Sequence, residues 1–255
     1  MIGNGVPWLC LLFAGSAFAE PGEPRPAPPA FEKGENPGLF DETDPATPRL
    51  VQVTVEFIEV PHEEATRLLY KEKLGKDGDK LREALQGMVD AGKGKIVETL
   101  AGVGRSGQKA TTESFRETTY PTEFAPPDGK AGEGKPGAFV PTSFETRNVG
   151  STLEIEPTLG DDNKTVDLRF VPEVIFRAGS LDVVSPKDAN GQEAAMKMPL
   201  FYSMRTNTSL SLWDGQSQLV GLLSPKGSND ETDMTRKVFV IVRADVIAVK
   251  AGKTK

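Results

Sequence analysis

The chain has 255 residues, with 30 Lys and Arg against 37 Asp and Glu and a formal net charge of −7. No surplus of basic side chains is left for a nucleic-acid surface, so a nucleic-acid partner is not expected. The single cysteine, Cys10, lies in an apolar run near the N-terminus, which excludes a disulfide framework in the rest of the chain.

The first residues predict export. An apolar run begins at Val6 and ends in Ala17-Phe18-Ala19, the small-x-small pattern of a cleavage site, so we interpret residues 1–19 as a signal peptide. Residues 20–49 hold eight of the twenty prolines and few apolar side chains, and they predict an extended tether. About two hundred residues remain, which suits one domain or two small ones.

The next segment predicts a strand and two helices. Leu50–Val60 alternates apolar and polar side chains, the period of a half-buried strand, and Pro61 ends it. Apolar residues at helical spacing predict a helix over His62–Leu74 and a second one after Asp79. Gly92 is typical of a helix stop.

The sequence GVGRSG, from Gly102 to Gly107, matches the GxGxxG phosphate-binding pattern and follows a predicted strand, Lys95–Ala101. A nucleotide site also needs a helix immediately after the motif. The chain continues instead with threonines, aromatic residues and a proline, which favour a strand. Gln108 and Lys109 also do not fit the Lys-Ser/Thr ending of the other phosphate loop. We therefore predict a hairpin turn here and no nucleotide cofactor.

The second half of the chain predicts strands. Residues 125–137, rich in Pro and Gly, predict a loop, and alternating segments on both sides of Gly160–Asn163 predict two paired strands. Asp214-Gly215 lies between Thr206–Trp213 and Gln216–Leu223 and predicts a hairpin with a type I′ turn. The final segment, Lys237–Val249, is apolar on both faces and predicts a central, buried strand.

Few residues have the chemistry of a catalytic or metal site. His62 is the only histidine and stands beside acidic residues at a predicted helix start, so we interpret it as a cap and not as a metal ligand. The acidic run Asn229–Asp233 lacks the spacing of a calcium loop and is interpreted as a solvated loop. No nucleophile with a base partner and no carboxylate pair stands out, so we expect no enzyme activity, cofactor, metal or small-molecule substrate.

The order of the strands, and the residues that mark their ends, resembles the C-terminal domain of secretins. Secretins are the ring-forming outer-membrane proteins of type II and type III secretion and of type IV pilus systems. The resemblance spans nearly all of residues 50–249, with a short tail at 250–255. The residues that carry it are Glu59, Val60, Gln108, Ala110, Pro121, Gly150, Leu153, Pro157, Asp214, Gly215 and Gly221.

The resemblance implies a mainly β, α+β fold, an antiparallel secretin-like sheet with two early helices. It also implies a non-enzymatic envelope protein in the periplasm or outer membrane. Such a protein would associate with itself or with other secretion or pilus subunits. Gly150, Pro157, Asp214, Gly215 and Gly221 are the motif and turn residues that we carry over from the family.

Three features depart from the family pattern. The proline-rich tether stands where ring-building domains usually precede the core. Ser224–Arg236 lacks the family's apolar segment, and Arg243-Ala244-Asp245 replaces its Thr-Pro. We therefore predict that the chain alone forms no conducting pore. The alternative is a free-standing immunoglobulin-like β-sandwich that binds a protein or glycan. A sandwich closes its own sheets, whereas a secretin core pairs its edges with neighbouring copies.

Overall fold

The structure is a computed structural model that describes residues 47–125, 140–184, 195–227 and 231–249. Antiparallel strands dominate it, so the predicted class, mainly β with two early helices, is confirmed. The strands are β1 Arg49–Pro61, β2 Lys95–Arg105, β3 Ala110–Ala125, β4 Val140–Leu159, β5 Thr165–Val184, β6 Ala195–Arg205, β7 Thr208–Trp213, β8 Ser217–Leu223 and β9 Arg236–Ala248. The helices are α1 His62–Thr66 and α2 Gly78–Asp90.

The first sheet has the strand order β2-β1-β9-β8. β1 and β9 pair along their whole length, from Arg49 opposite Ala248 to Pro61 opposite Arg236. Both central strands have apolar layers against both faces, which explains the continuous apolar run of β9. The prediction that the last strand is central and buried is therefore confirmed.

The second sheet has the order β3-β4-β5-β6. β6 and β7 both pair with the same edge of β5, at different positions along it. β7 pairs with Thr165 to Phe170, and β6 pairs with the part of β5 that begins at Glu173. β4 and β5 pair across the turn at 160–164, so the two strands predicted around Gly160–Asn163 are confirmed.

The main core lies between the two sheets. Alternate residues of β1 and β9 face alternate residues of β4 and β5, and their apolar side chains exclude water from the space between the sheets. Its largest buried side chains include Phe57 and Phe170. The other fully buried members include Val51, Val53, Val55, Leu153, Ile155, Val166, Leu168, Leu212, Val240 and Val242.

A second core lies on the opposite face of the first sheet, under the helices. Ile58 and Phe239 of this face pack against Leu68, Leu81 and Leu85 from the helical segment. Each side chain of this kind stabilises the fold by about 1.5–3 kcal/mol when it is fully buried and not exposed. The protein thus has three layers, one helical and two of β-sheet.

The helices differ in detail from the predicted ones. The first does not run regularly to Leu74: it passes into a π-helical turn at Arg67–Lys71, and Lys73 then takes a left-handed φ of 58°. The second starts at Gly78, before the predicted Asp79, because Asp77 caps it by accepting a hydrogen bond from Lys80 N at 3.1 Å.

The GVGRSG segment does not form the predicted hairpin, and that prediction is wrong. β2 continues to Arg105 and pairs with β1, whereas β3 pairs with β4, so the turn at Ser106 and Gly107 carries the chain from one sheet to the other. A Cβ on Gly104 would lie 3.3 Å from Pro157 Cγ in the second sheet. Glycine at this position therefore lets the two sheets approach closely.

The hairpin predicted around Asp214-Gly215 is also wrong. β7 pairs with β5 and β8 pairs with β9, so this turn again joins the two sheets. Only Gly215 has a positive φ, 76°, and a type I′ turn would require one at Asp214 as well. The predicted signal peptide, residues 20–46 of the tether, residues 126–137 of the loop and the 250–255 tail lie outside the described residues.

Candidate assembly surface

The second sheet splits into two parts where the pairing of β4 with β5 ends. β4 pairs with β5 from Leu159 back to Gly150, opposite Ile175, and the two strands are not partners beyond that point. Among the described residues, 140–149 of β4 then pair only with β3, and 176–184 of β5 pair only with β6. Two two-stranded ribbons result: residues 116–125 with 140–149, the first ribbon, and residues 176–184 with 195–202, the second ribbon. We call the rest of the described structure the body.

Gly150 lies at the point of division. Its φ is 145°, a backbone conformation that residues with a side chain rarely adopt. A Cβ built there would lie 2.2 Å from Ser114 O and 2.6 Å from Phe115 Cα, which is closer than non-bonded atoms approach. The chain therefore needs glycine at this point for β4 to lie so close to its partner strand β3.

The two ribbons touch through aromatic side chains. Tyr120 of the first ribbon lies 5.4 Å from Phe201 of the second, ring centroid to ring centroid. The guanidinium carbon of Arg147 lies 5.1 Å from the same Phe201 ring, in cation–π geometry. The Tyr120 hydroxyl donates a hydrogen bond to Glu145 at 3.0 Å, and this bond raises the pKa of Tyr120. These contacts hold the two ribbons against each other at Phe201.

The base of the second ribbon is tied to the body by polar contacts. The Tyr202 hydroxyl donates to the Ser224 carbonyl, and Lys226 Nζ donates to the Ala178 carbonyl at 2.8 Å. Burial raises the pKa of Tyr202. Lys237 of β9 donates in turn to the Ser224 hydroxyl at 2.6 Å. These bonds anchor the ribbon where it leaves the core.

The ribbons expose large apolar side chains. Val140, Phe144 and Leu181 are 59%, 58% and 55% exposed. Phe144 stands opposite Pro121, and Val140 stands opposite Ala125, so one end of the first ribbon is apolar. Apolar side chains on two-stranded segments with open backbone edges are typical of surfaces that bind another chain.

The motif residues carried over from the sequence lie apart from one another. Pro157 is in β4, and its carbonyl accepts a hydrogen bond from Gly107 N at 2.8 Å. Gly215 N donates to Ala244 O at 2.7 Å, and Asp214 Oδ1 accepts from Val246 N at 2.7 Å, so this turn is fastened to β9. Gly221 stands opposite Val240 in β8 beside an irregularity in the strand register, with open space next to it. Together with Gly150 they occupy separate places and form no common pocket.

Sequence reasoning missed the ribbon contact and a buried ion cluster. Tyr120, Arg147 and Phe201 are far apart in the chain, and no local pattern links them. Glu59, which is buried in β1, forms ion pairs with Arg236 and, at 3.0 Å, with Lys95. These pairs join the first three strands of the first sheet, since Lys95 is in β2 and Arg236 in β9.

The next features are the possible metal ligands and His62, the residue interpreted as a helix cap. In that part of the chain, no group of three or more His, Cys, Asp or Glu side chains is placed to hold a metal. His62 does not cap its helix, so that interpretation is wrong: its Nδ1 lies 3.0 Å from the Met234 carbonyl, to which it donates. None of the helices that the structure describes is long and apolar enough to cross a membrane.

Comparisons with known proteins found similar solved structures but no similar sequences. No model of a protein family matches the sequence, and no curated protein sequence matches it. The chain is similar to a chain of the Klebsiella pneumoniae type II secretion outer membrane complex of PulD, PulS and PulC, with 13% identity over 80% of this chain and a TM-score of 0.37. For Aeromonas hydrophila ExeD the identity is 10%, over 80% of this chain, and the TM-score is 0.41.

A third similar structure is the Salmonella SPI-1 injectisome secretin InvG, with 9% identity over 81% of this chain and a TM-score of 0.36. The chain covers 41% of the Klebsiella chain, 49% of ExeD and 65% of InvG, less than two thirds in each case.

Proposed function

We propose that this chain is a non-enzymatic, secretin-like envelope protein that assembles with copies of itself, as a component of or accessory to a type II or III secretion or type IV pilus apparatus. The observation that carries the proposal is the division of the second sheet at Gly150 into two ribbons. Within the described part of the chain, residues 140–149 and 176–184 each have a strand partner on one side only. The ordered motifs at Gly150, Pro157 and Gly221 add the resemblance to the family.

The physical reason for assembly is the instability of an isolated two-stranded ribbon. Such a hairpin is marginally stable in water, and its open edges present unpaired N–H and C=O groups that another strand satisfies. Among the described strands, none pairs with the outer edge of β3 or, beyond Gly150, with the second edge of β4. Pairing these edges with those of neighbouring copies would satisfy the backbone and cover Val140 and Phe144.

The proposal includes export and the N-terminal tether. Residues 1–19 act as a signal peptide, and residues 20–46 place the domain at a distance from whatever the N-terminal end contacts. Association with the outer membrane is peripheral, and the chain alone forms no conducting pore. The last statement rests on the polar character of Ser224–Arg236, where the family has an apolar segment.

The rival function is a β-sandwich module that binds a protein or a glycan. One observation favours it: the two sheets enclose a common core, as in a free-standing sandwich. A sandwich module has no need for two ribbons that extend beyond its core. Assembly state therefore separates the two functions.

The test is the oligomeric state of the exported protein, measured by mass photometry and on an unboiled denaturing gel. We expect multimers that form through the open edge of β3. Proline substitutions at two neighbouring positions, Arg116→Pro and Glu117→Pro, provide an internal control. Successive N–H groups of a strand point to opposite sides, so only one substitution removes an outward donor.

We expect the proline at the outward N–H to abolish the multimer while the circular dichroism spectrum is retained. The other proline should disturb the β3–β4 pairing itself. A protein that stays monomeric at all concentrations would support the sandwich module and overturn the assembly proposal. Stable single-channel steps in a planar bilayer, together with a heat-released multimer, would instead overturn the statement that the chain forms no pore.

A further inference from the structure

The second sheet has a polar face that points away from the first sheet, and we call it the outer face. Val166, Leu168 and Phe170 of β5 point into the main core, so the residues between them, Asp167 and Arg169, point to the outer face. Their partners across the register share this face. Its exposed polar residues on β4, β5 and β7 are Glu156, Thr158, Asp167, Arg169, Ser209 and Ser211. Because all six are exposed, no element of the described structure covers them.

These residues line an open groove. A cavity of about 540 Å³ lies between the six side chains, and a second one of about 110 Å³ continues from it toward β3. Glu156 and Arg169 line both cavities, and Lys109, which precedes β3, lines the second. We call the two cavities together the polar groove. Concave sites with a few convergent polar groups are typical of ligand-binding sites.

Trp213 stands beside the groove, at the end of β7, and is 60% exposed. It alternates with Ser209 and Ser211 along the strand, so its side chain lies on the outer face as well. Along the strand, Trp213 is roughly 7 Å from Ser211 and roughly 14 Å from Ser209. An exposed indole offers a flat apolar surface with an N–H donor at its edge. The outer face therefore combines one large aromatic surface with a row of polar groups.

The backbone around Trp213 is held in place. Its N–H donates to Gln216 Oε1 at 3.0 Å, and its carbonyl accepts from Gln216 N at 2.9 Å. The next residue, Asp214, donates its N–H to the Lys164 carbonyl at 2.7 Å. Only the two side-chain torsions of the indole are left to order when a ligand binds, so the entropy cost of stacking on it is low.

The charges of the groove exclude several classes of ligand. They belong to three carboxylates and two basic groups, those of Glu154, Glu156, Asp167, Lys109 and Arg169. Lys109 pairs with Glu154 at 2.7 Å, whereas no ion pair of Arg169 is formed within the described structure. A nucleic acid or an anionic membrane needs a surplus of basic side chains, which this groove does not have. A protein partner fits poorly too, because the centre of a protein interface is depleted of charged residues.

A chain of sugars matches the groove in its chemistry. Each sugar hydroxyl both donates and accepts, so it bonds equally well to a carboxylate, a guanidinium or another hydroxyl. Arg169 stands between Glu156 and Ser209 in the register, which places donors and acceptors in one row. In the next row, the Ser211 hydroxyl donates to Asp167 and orients that carboxylate. The apolar face of a sugar ring is suited to stacking on the exposed ring of Trp213.

We propose that the polar groove binds a neutral polysaccharide. One sugar ring stacks on Trp213, and the hydroxyls of the following rings bond to Asp167, Arg169 and Glu156. The contacts are spread along the groove and exposed to water, so a long chain binds more tightly than a short one. The site uses no strand edge. It therefore does not depend on assembly of the chain and goes beyond the proposed function.

The test is a fluorescence titration of the whole chain carrying Trp8→Phe. The chain has two tryptophans, so this change leaves Trp213 as the only one, and its emission reports on the groove. The probes are the neutral hexasaccharides cellohexaose, maltohexaose and chitohexaose. We expect a saturable shift of the emission with at least one of them. The corresponding disaccharide should bind at least about tenfold more weakly, because it is too short to span the groove.

Calorimetry with the hexasaccharide that binds then compares matched variants. Trp213→Ala should weaken binding at least about fivefold, and Trp213→Phe should recover part of the loss, since a phenyl ring also stacks. Tyr70→Ala removes another aromatic ring, 77% exposed on the helical segment, and should change binding less than about twofold. Arg169→Ala should weaken binding at least about fivefold, whereas Arg105→Ala, at the exposed end of β2, should not. An unchanged urea midpoint shows that each variant is folded.

Three results would overturn the proposal. The absence of saturation with all three hexasaccharides would show that the groove binds no such chain. Equal effects of Trp213→Ala and Tyr70→Ala would show that binding is not localised to the outer face. Equal affinity for the disaccharide and the hexasaccharide would show that the sugar contacts Trp213 alone and not the groove.

Discussion

The body and the ribbons share β3, β4, β5 and β6, yet they differ in what lies against the strands. In the body, the faces of the strands that point inward are covered by the other sheet, and the first sheet has helices on its second face. In the ribbons, each strand has one partner among the described strands, and large apolar side chains are exposed. Burial of apolar surface therefore stabilises the body more than the ribbons, whose large apolar side chains remain exposed.

The largest expected effect compares two phenylalanines, one from each region. Phe57 is fully buried between the sheets, whereas Phe144 of the first ribbon is 58% exposed. We expect Phe57→Ala to lower the free energy of unfolding by about 3–5 kcal/mol. Phe144→Ala should change it by less than about 0.5 kcal/mol. Urea titration of the monomer measures both, and a comparable loss for Phe144 would show that the first ribbon belongs to the folding core.

The junction of the two regions is tested next by a pair of motif glycines. Gly150 has a φ of 145° and no room for a Cβ, whereas Gly221 has nothing within 4 Å of an added Cβ. We expect Gly150→Ala to destabilise the protein by about 2–3 kcal/mol, while Gly221→Ala should be close to neutral. Thermal and urea unfolding of both variants measure the difference. Equal effects would mean that the close approach of β3 and β4 at the junction is not required.

Much of the body could be predicted from the sequence, because burial on one or both faces imposes a local period. The alternation of β1 and the apolar run of β9 follow directly from the layers against them. The stop at Gly92 also follows from local chemistry, since its φ is 70°. Such signals depend only on neighbouring residues.

Strand partners and the ribbons could not be predicted in this way. Asp214-Gly215 has the local chemistry of a hairpin turn, but the strands on either side belong to different sheets. A turn sequence fixes the bend and not the sheet that the next strand joins. The division at Gly150 could not be predicted from the sequence either. Residues 140–149 would form an extended strand whether or not β5 lay beside them, so their sequence does not indicate that the β4–β5 pairing stops at Gly150. The contact of Tyr120 with Phe201 depends on that division.

The turn at Asp214-Gly215 gives a smaller effect within the body. Gly215 has a φ of 76°, which valine tolerates poorly, and its N–H is bonded to Ala244. We expect Gly215→Val to destabilise by at least ~1 kcal/mol. Gly87→Ala is the control, and we expect it to change the free energy of unfolding in the opposite direction. Gly87 lies in α2, and a Cβ added there would have nothing within 4 Å. Because alanine favours a helix more than glycine does, this change should stabilise the protein by about 0.5–1 kcal/mol. An unchanged urea midpoint for Gly215→Val would contradict the role of this turn in fastening β7 to β9.

The contact between the ribbons should be weaker again. A double-mutant cycle of Arg147→Ala and Phe201→Leu isolates the cation–π interaction from the general effect of each change. We expect a coupling of about 0.5–1 kcal/mol, because the site is at the surface. Arg116→Ala replaces Arg147→Ala in the control cycle, since Arg116 makes no contact with Phe201 in the described structure. Zero coupling in the first cycle would show that the ribbons move independently in solution.

The smallest expected effect is a pH dependence at the end of the body opposite the ribbons. Asp162, in the turn between β4 and β5, accepts hydrogen bonds from Thr165 Oγ1 at 2.6 Å and from the N–H groups of Thr165 and Lys164. These bonds, the one from the Thr165 side chain above all, lower the pKa of Asp162 to about 2. Because the pKa is lowered on folding, the stabilisation is present above pH 4 and is lost as the pH falls toward 2. The carboxylate is exposed to water, so the effect is small.

We expect Asp162→Ala to destabilise the protein at pH 6, and the difference from the unchanged protein to shrink steadily between pH 4 and pH 2. Asp161→Asn, which removes one neighbouring exposed charge, should have a smaller effect at pH 6. A carbon-detected titration of the Asp162 carboxyl gives the pKa directly, and a midpoint near the ordinary value of 3.8 would show that the turn is open in solution.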